Sequence, residues 1–409
     1  MNTISVRTDP QFVVNIIGGG RWARVLIETI CSITDKSVNI SVYSKNNAAG
    51  MAEWVYVKKI GHKIQVFEEL PKKFNPGLNA VIVVNAARDH EKAIFSALSA
   101  GGNVLVEKPI TLNYQTSENL LRFAKSIDKT LASAHVFLFA SYFVKFSSLI
   151  SQAGKISKID IQWEDPGSED RYGEKKQYDP GLTVFSDWLP HVLSMLLSIV
   201  PGKEFAFLAI ELQKGGASVL LDILIGDLPC RIRLTRNGEQ RKRFMDVHTI
   251  NKILQLDFSK EPGIIYDGNN EIVGDPEWQL NERPVASMLR AFLNGVSGKG
   301  FDIRLDAEIG LKALRVIDLV MTEYRKKQIL WLIEELTTIM PNGKNVSING
   351  NLFYALSEIF QTLNLIRIDE LEKKIQRLLL KLNTSLLNEW LTFFNENKIS
   401  VVLEQLEEI

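Results

Sequence analysis

The sequence predicts an α/β chain in three parts. Residues 1–130 form a doubly wound parallel sheet, residues 131–335 a second α+β domain with an open, mostly antiparallel sheet, and residues 336–409 a small all-α appendage. Three observations predict this. A buried apolar strand, Val13-Val14-Asn15-Ile16-Ile17, runs through glycines into an amphipathic helix. Beyond residue 150, alternating β-branched runs are separated by turn signals. Beyond residue 340 only helical spacing remains, after the linker-like Met340-Pro341-Asn342-Gly343.

A chain of 409 residues with 45% hydrophobic and 23% charged content has room for two or three globular domains. Its 48 basic and 48 acidic residues cancel, so there is no electrostatic case for nucleic acid or an anionic membrane as partner. Cys31 and Cys230 match no metal or redox spacing and read as free thiols in a reducing compartment. No apolar leader core and no run of about 18 apolar residues occurs, so a cytoplasmic protein is expected. No metal-ligand motif is present.

The first strand ends in Gly18-Gly19-Gly20-Arg21-Trp22-Ala23, in which Gly18, Gly20 and Ala23 fit G-x-G-x-x-G/A. Gly18 permits a tight turn, Gly20 lets a pyrophosphate approach the backbone, and Ala23 lets the helix pack close to the strand. Free N–H groups at the helix start then face the phosphates. An ordinary tight turn is the alternative reading. The second strand, 38–43, ends in Ser44-Lys45-Asn46-Asn47, without the carboxylate that holds a ribose 2′-OH. A hydroxyl and an ammonium suit a 2′-phosphate, which favours NADP; if Lys45 is only a solvated loop lysine, NAD serves as well.

Ala80-Val81-Ile82-Val83-Val84 reads as a central strand covered on both faces. Asn85 and Ala86 follow it, at the carboxyl end where ligands bind in such sheets. His90 opens the next helix as a packing or capping residue. A further strand ends in Glu107-Lys108-Pro109. Pro109 biases Lys108 to an extended conformation at the sheet's carboxyl end, where the lysine either shares in proton transfer or is a surface lysine.

The segment 182–199 is apolar at helical spacing and carries Asp187 and His191 four residues apart, hence on one face. A helix beginning just before Pro190 would keep that proline in its first turn. Asp187 is then either an N-cap or a carboxylate that orients His191 for proton exchange.

Together Gly18-Gly19-Gly20-Arg21-Trp22-Ala23, Glu107-Lys108-Pro109 and Asp187-Trp188-Leu189-Pro190-His191 resemble the Gfo/Idh/MocA oxidoreductases over roughly residues 12–325. The resemblance implies an N-terminal Rossmann domain and a second α/β domain whose open sheet often mediates dimerisation. It also implies hydride transfer between NAD(P) and a carbon, mostly of sugars, cyclitols or nucleotide sugars. By motif match Lys108 is the active-site lysine, and Asp187 and His191 are the D-x-x-x-H pair. Gly18 to Ala23, Ser44, Lys45, Asn46, Asn85, Ala86, Glu107 and Lys108 would line the cofactor.

One departure concerns the stretch after the strand at 131. Where relatives often carry an Arg-Phe/Tyr pair, this chain has Ser141-Tyr142-Phe143, so Tyr142 is expected to offer its hydroxyl to substrate, with His135 internal on the strand. The polar loop 164–180 supplies Arg171, Tyr172 and Tyr178 as further substrate contacts, unless it is a plain solvated loop.

Strands are expected at 158–163, 205–213, 217–226, 230–236, 245–249 and 253–258. The mixed run 236–243 reads as a solvated, hairpin-like turn. Helices follow at 285–294 and 306–325, then in the appendage at 352–363, 368–382, 385–395 and 401–408.

The first reading is an NADP-preferring oxidoreductase of a sugar or nucleotide-sugar alcohol or ketone, working as a homodimer or higher homo-oligomer. The second is reduction of a C=N or C=C bond in natural-product or pigment chemistry, as in thiazolinyl imine or biliverdin reductases. There the substrate could ride on a carrier protein docked at the tail. The third is a non-enzymatic, cofactor-sensing protein whose tail is an interface.

Overall fold

The computed structural model describes residues 12–339, apart from 61–62, 168, 172–173, 176–177 and 180, together with 351, 352, 354, 355, 357 and 358. The chain divides into two compact units. The first takes the chain up to Ser148, with Pro190–Pro201 and Gly274–Arg315. The second takes Leu149–Leu189, Gly202–Val273 and the chain from Val316 on. Two later stretches thus group with the N-terminal part of the chain. The linker and the helices expected at 368–382, 385–395 and 401–408 lie outside the described residues.

In the first unit β1 (Phe12–Ile17), α1 (Arg21–Ile33), β2 (Asn39–Tyr43), α2 (Ala48–Lys58), β3 (Lys63–Phe67), β4 (Leu78–Val83), α3 (His90–Ser99), β5 (Asn103–Val106), α4 (Tyr114–Ser126), β6 (Leu131–Ser133) and α5 (Ser141–Gln152), whose end from Leu149 belongs to the second unit, follow in order. The sheet order is β3-β2-β1-β4-β5-β6, and every pair is parallel. Val14, Ile16, Val81, Val83, Val104 and Val106 are buried along its central strands. That explains their near-continuous apolar runs, since strands covered on both faces cannot alternate. Burying each such side chain contributes about 1.5–3 kcal/mol. α1 lays Ala23, Leu26, Ile27 and Ile30 on the sheet, the i, i+3, i+4, i+7 pattern of its sequence.

The second unit is built on β7 (Ile156–Pro166), the short pair β8 (Asp170–Arg171) and β9 (Glu174–Lys175), and α6 (Val184–Ile199), whose Pro190–Ile199 end belongs to the first unit. It continues through β10 (Phe205–Gln213), β11 (Ser218–Ile225), β12 (Leu228–Gly238), β13 (Lys242–Thr249), β14 (Ile253–Asp257), β15 (Ile264–Asp267) and β16 (Asn270–Val273). Its eight strands order β10-β11-β12-β7-β13-β14-β15-β16, antiparallel except for the β12–β7 pair. α7 (Pro284–Val296) belongs to the first unit, and α8 (Ala307–Ile339) passes from the first unit to the second after Arg315.

Four local expectations are corrected. α6 starts at Val184, so Pro190 lies inside the helix. Thr183 is its N-cap, its Oγ1 accepting from Ser186 N at 3.0 Å, so Asp187 is not the cap. The run 236–243 is not a hairpin, because β12 and β13 flank β7 on opposite sides. Nor is it wholly solvated: Arg236 and Arg243 are buried, the latter paired with Asp165 at 2.8 Å. Finally, α8 runs unbroken through residue 335, where a domain boundary was expected.

Candidate active site

A strand order of 3-2-1-4-5-6 reverses direction between β1 and β4, and ligands bind beyond the strand ends at such a point. The loop after β1 is Gly18-Gly19-Gly20, and the loop after β4 begins at Val84-Asn85. They touch. Gly18 has φ +143°, and a Cβ there would stand 2.9 Å from Val84 C and O. Only glycine suits both the backbone conformation and the approach. Gly18 N donates to Tyr43 O at 2.9 Å and Asn47 Nδ2 donates to Gly19 O at 2.7 Å, so the loop is tied to the end of β2.

Gly20 differs from its neighbours. It is the N-cap residue of α1, makes no side-chain cap, and a Cβ on it would meet nothing within 4 Å. The space beside Gly20 is thus open at the positive end of a helix dipole. Ala23 is fully buried. Ser44 is buried, while Lys45 and Asn46 are exposed at the end of β2, where no carboxylate stands. Asn85 Oδ1 is buried with no hydrogen-bond partner among the described residues. An open phosphate cradle and an orphaned amide oxygen at the switch point are what an NAD(P) would use, and the residues present fit it.

Lys108 follows β5, the neighbour of β4, and is half-buried in a turn with a cis Lys108–Pro109 peptide. Glu107 before it accepts from Trp22 Nε1 at 2.8 Å, fastening the Lys108 turn to the start of α1. Burial raises the Glu107 pKa, against the Trp22 hydrogen bond and the Lys108 charge. His90 supplies a second fastening. Its Nδ1 lies 2.8 Å from Pro109 O and its Nε2 3.1 Å from Asn85 O. The ring bolts the lysine turn to the Asn85 loop, a role that its position at a helix start did not reveal. Burial lowers the His90 pKa, and the backbone carbonyls oppose this.

His191 also belongs to the first unit; its half-buried imidazole meets the Phe137 ring edge-on, centroids 5.1 Å apart. Asp187, one turn earlier on α6, pairs with Arg236 Nη2 at 2.9 Å in the second unit. Arg236 was missed by sequence reasoning; the only signal was an arginine at an inward position of the alternating β12. Tyr142 departs from expectation: it is 2% exposed, tilted against Trp278, and its ring is core. His135 lies just past β6, buried. Tyr178 is half-buried under the Arg236 guanidinium, 4.9 Å from its ring centroid. Tyr172 and the Arg171 side chain lie outside the described residues. Among the described residues no group of His, Cys, Asp and Glu could hold a metal ion, and no helix is long and apolar enough to cross a membrane.

Comparison with known proteins agrees with this geometry. Residues 12–135 match the family model described as the Gfo/Idh/MocA oxidoreductase family, NAD-binding Rossmann fold. The Escherichia coli K12 oxidoreductase YdgJ is 22% identical over 190 residues, 46% of this chain and 53% of its own length, so the match spans about half of that relative. Among solved structures, UDP-N-acetylglucosamine 3-dehydrogenase GnnA from Acidithiobacillus ferrooxidans is 16% identical at a TM-score of 0.58, covering 79% of this chain and 97% of that one. KijD10, a 3-ketoreductase from Actinomadura kijaniata in complex with TDP-benzene and NADP, is 15% identical at a TM-score of 0.60, covering 74% and 94%. Identities this low show a shared fold. Residues 12–135 thus match the NAD-binding Rossmann fold of the Gfo/Idh/MocA oxidoreductase family, in agreement with the glycine fingerprint and the strand order of the first unit.

Proposed function

We propose that the chain is an NADP-preferring oxidoreductase that transfers hydride between the nicotinamide and a carbon of a sugar or nucleotide-sugar alcohol or ketone. The observation that carries this reading is the placement of Lys108 at the carboxyl end of β5, two strands from the glycine cradle and bolted by His90 to the loop after β4. The nicotinamide supplies or accepts the hydride when bound. The chain's own residues manage the rest: the Lys108 ammonium donates a hydrogen bond to the substrate oxygen, and His191 exchanges the hydroxyl proton. Asp187, one turn away, sets the charge near that imidazole. Ser44 and Lys45 favour a 2′-phosphate over a bare 2′-hydroxyl. A UDP-N-acetylglucosamine 3-dehydrogenase and a 3-ketoreductase of like fold support the substrate class.

A second reading, reduction of a C=N or C=C bond, draws support from Phe137. An aromatic ring against His191 offers no hydrogen bond to a polyol and suits a flatter, less polar substrate. A working homodimer through the open face of the eight-stranded sheet is part of either proposal. Fluorescence titration with NADPH and NADH tests the common ground: saturable binding, tighter for NADPH, is expected. Absence of affinity for both nucleotides would refute the proposal. Turnover of nucleotide-linked ketoses against cyclic imines then separates the two readings.

A further inference from the structure

Arg236 lies at the centre of a buried polar network in the second unit that nucleotide binding and hydride transfer do not by themselves require. Its side chain is 3% exposed, and that of Asp187 is 21% exposed. Nη2 donates to Asp187 Oδ2 at 2.9 Å and to Thr183 O at 3.5 Å; Nη1 donates to Leu182 O at 2.7 Å and to Tyr354 OH at 3.3 Å. Two of those acceptors are carbonyls at the start of α6, so the guanidinium grips the helix end and its first-turn carboxylate together. Tyr178 covers one face of it and Trp188 lies 5.8 Å away.

Tyr354 comes from 351–358, a segment beyond the family resemblance. The segment is anchored by Glu358, whose Oε1 accepts from Tyr324 OH and Arg325 Nη1, each at 2.8 Å, and from Gln328 Nε2 at 3.2 Å. Gln328 Nε2 also donates to Gly215 O at 3.0 Å. Tyr178 from the preceding loop, Trp188 on α6 and Tyr354 from the segment thus surround the guanidinium that pairs with Asp187; Glu358 links the segment to Tyr324 and Arg325 of α8, and His191 lies one turn further along α6.

A buried ion pair adds little net stability, because desolvation offsets the attraction. What such a pair does is hold one carboxylate rotamer and cancel its charge at a distance. A bare carboxylate one helical turn from an imidazole favours the imidazolium; a carboxylate paired with a guanidinium does so far less. We propose that Arg236, seated by Tyr354 of the segment 351–358, is a positioning residue for Asp187, and that this segment thereby sets the charge felt by His191. The proposal rests on the reading of His191 as the proton-exchanging group.

The test is an NMR titration of the ring-labelled, full-length protein. It has five histidines, and His191 is assigned through His191→Gln. Arg236→Gln should raise the His191 midpoint by about one pH unit, as expected for one charge uncovered at helical-turn distance. Arg236→Lys keeps a cation and should return most of that shift. Tyr354→Phe removes one hydroxyl and should move the midpoint the same way by a smaller amount. Should Arg236→Gln fail to fold, Tyr354→Phe decides. An unmoved or lowered midpoint in Arg236→Gln, or in Tyr354→Phe where it decides, overturns the positioning role, as does an Arg236→Lys shift as large as that of Arg236→Gln. NADPH titration of the unaltered protein runs alongside: binding with an unmoved midpoint overturns only the positioning, and no binding overturns the functional reading with it.

Discussion

Gly18 and Gly20 stand two residues apart in one loop and should fail in opposite ways. At Gly18, alanine meets two obstacles: a φ of +143° and backbone atoms of Val84 2.9 Å from the new Cβ. A side chain held in a sparsely populated region costs about 1–3 kcal/mol. Forcing backbone apart in a packed site costs about another 1–3 kcal/mol. Taking about 4 kcal/mol for the sum, thermal unfolding should fall by about 8–16 °C. At Gly20, φ is −83° with ψ −178°, which alanine adopts freely, and the Cβ meets nothing within 4 Å. Gly20→Ala should cost no more than about 1 kcal/mol, the difference between those residues at an N-cap. Its methyl group fills the space offered to the pyrophosphate, so NADPH affinity should drop at least about tenfold, or 1.4 kcal/mol. The assays are thermal unfolding by circular dichroism and NADPH fluorescence titration of both variants. Gly20→Ala binding NADPH like the unaltered protein, or Gly18→Ala melting like it, would refute the placement of the phosphates at this loop or the packing beneath it.

Three further outcomes follow from the site and the core. Lys108→Ala should lower NADPH-dependent turnover by about 10²–10⁴-fold, the range for a lost acid–base group; unaltered steady-state turnover would remove Lys108 from the chemistry. Lys45→Asp should turn the nucleotide preference toward NADH by about tenfold, because the new carboxylate repels a 2′-phosphate and accepts from a 2′-hydroxyl; paired Kd values for NADPH and NADH check it. Burial holds the His135 imidazole down at about 4, against an ordinary 6.5. The unfolded chain therefore takes up this proton from pH 6.5 downward while the fold does not until about pH 4, so stability falls as pH drops through that window and levels off below it. The loss is up to about 3 kcal/mol. Urea unfolding of His135→Leu should show a flatter dependence between those limits, and an unchanged slope would place the acid sensitivity elsewhere.

Legibility in the sequence followed locality. The strand, glycine turn and helix at 12–33 were readable because turn conformation and amphipathic spacing are properties of adjacent residues. The second sheet was readable strand by strand, including β10 at 205–213. β15 and β16 were not singled out, because four-residue strands carry too little alternation to stand out. Pro190 misled the placement of α6: helix propensity argues for an early proline, yet Thr183 caps the helix and packing of Phe185, Leu189 and Leu193 holds it through the missing hydrogen bond. Tyr142 was assigned to substrate on its chemistry, whereas its depth against Trp278 depends on residues more than a hundred positions away.

The sequence alone determined that a glycine-rich turn opens a helix after a buried strand, that a lysine ends a later strand, and that a carboxylate and an imidazole lie one helical turn apart. Tertiary structure decided what those groups face. Which strands flank β7 put Arg236 inside rather than in water and gave Asp187 its partner. The packing of α3 brought His90 between Pro109 and Asn85. Each is a meeting of residues distant in the chain, and a linear pattern of apolar and polar positions specifies that a side chain is buried without specifying what it is buried against.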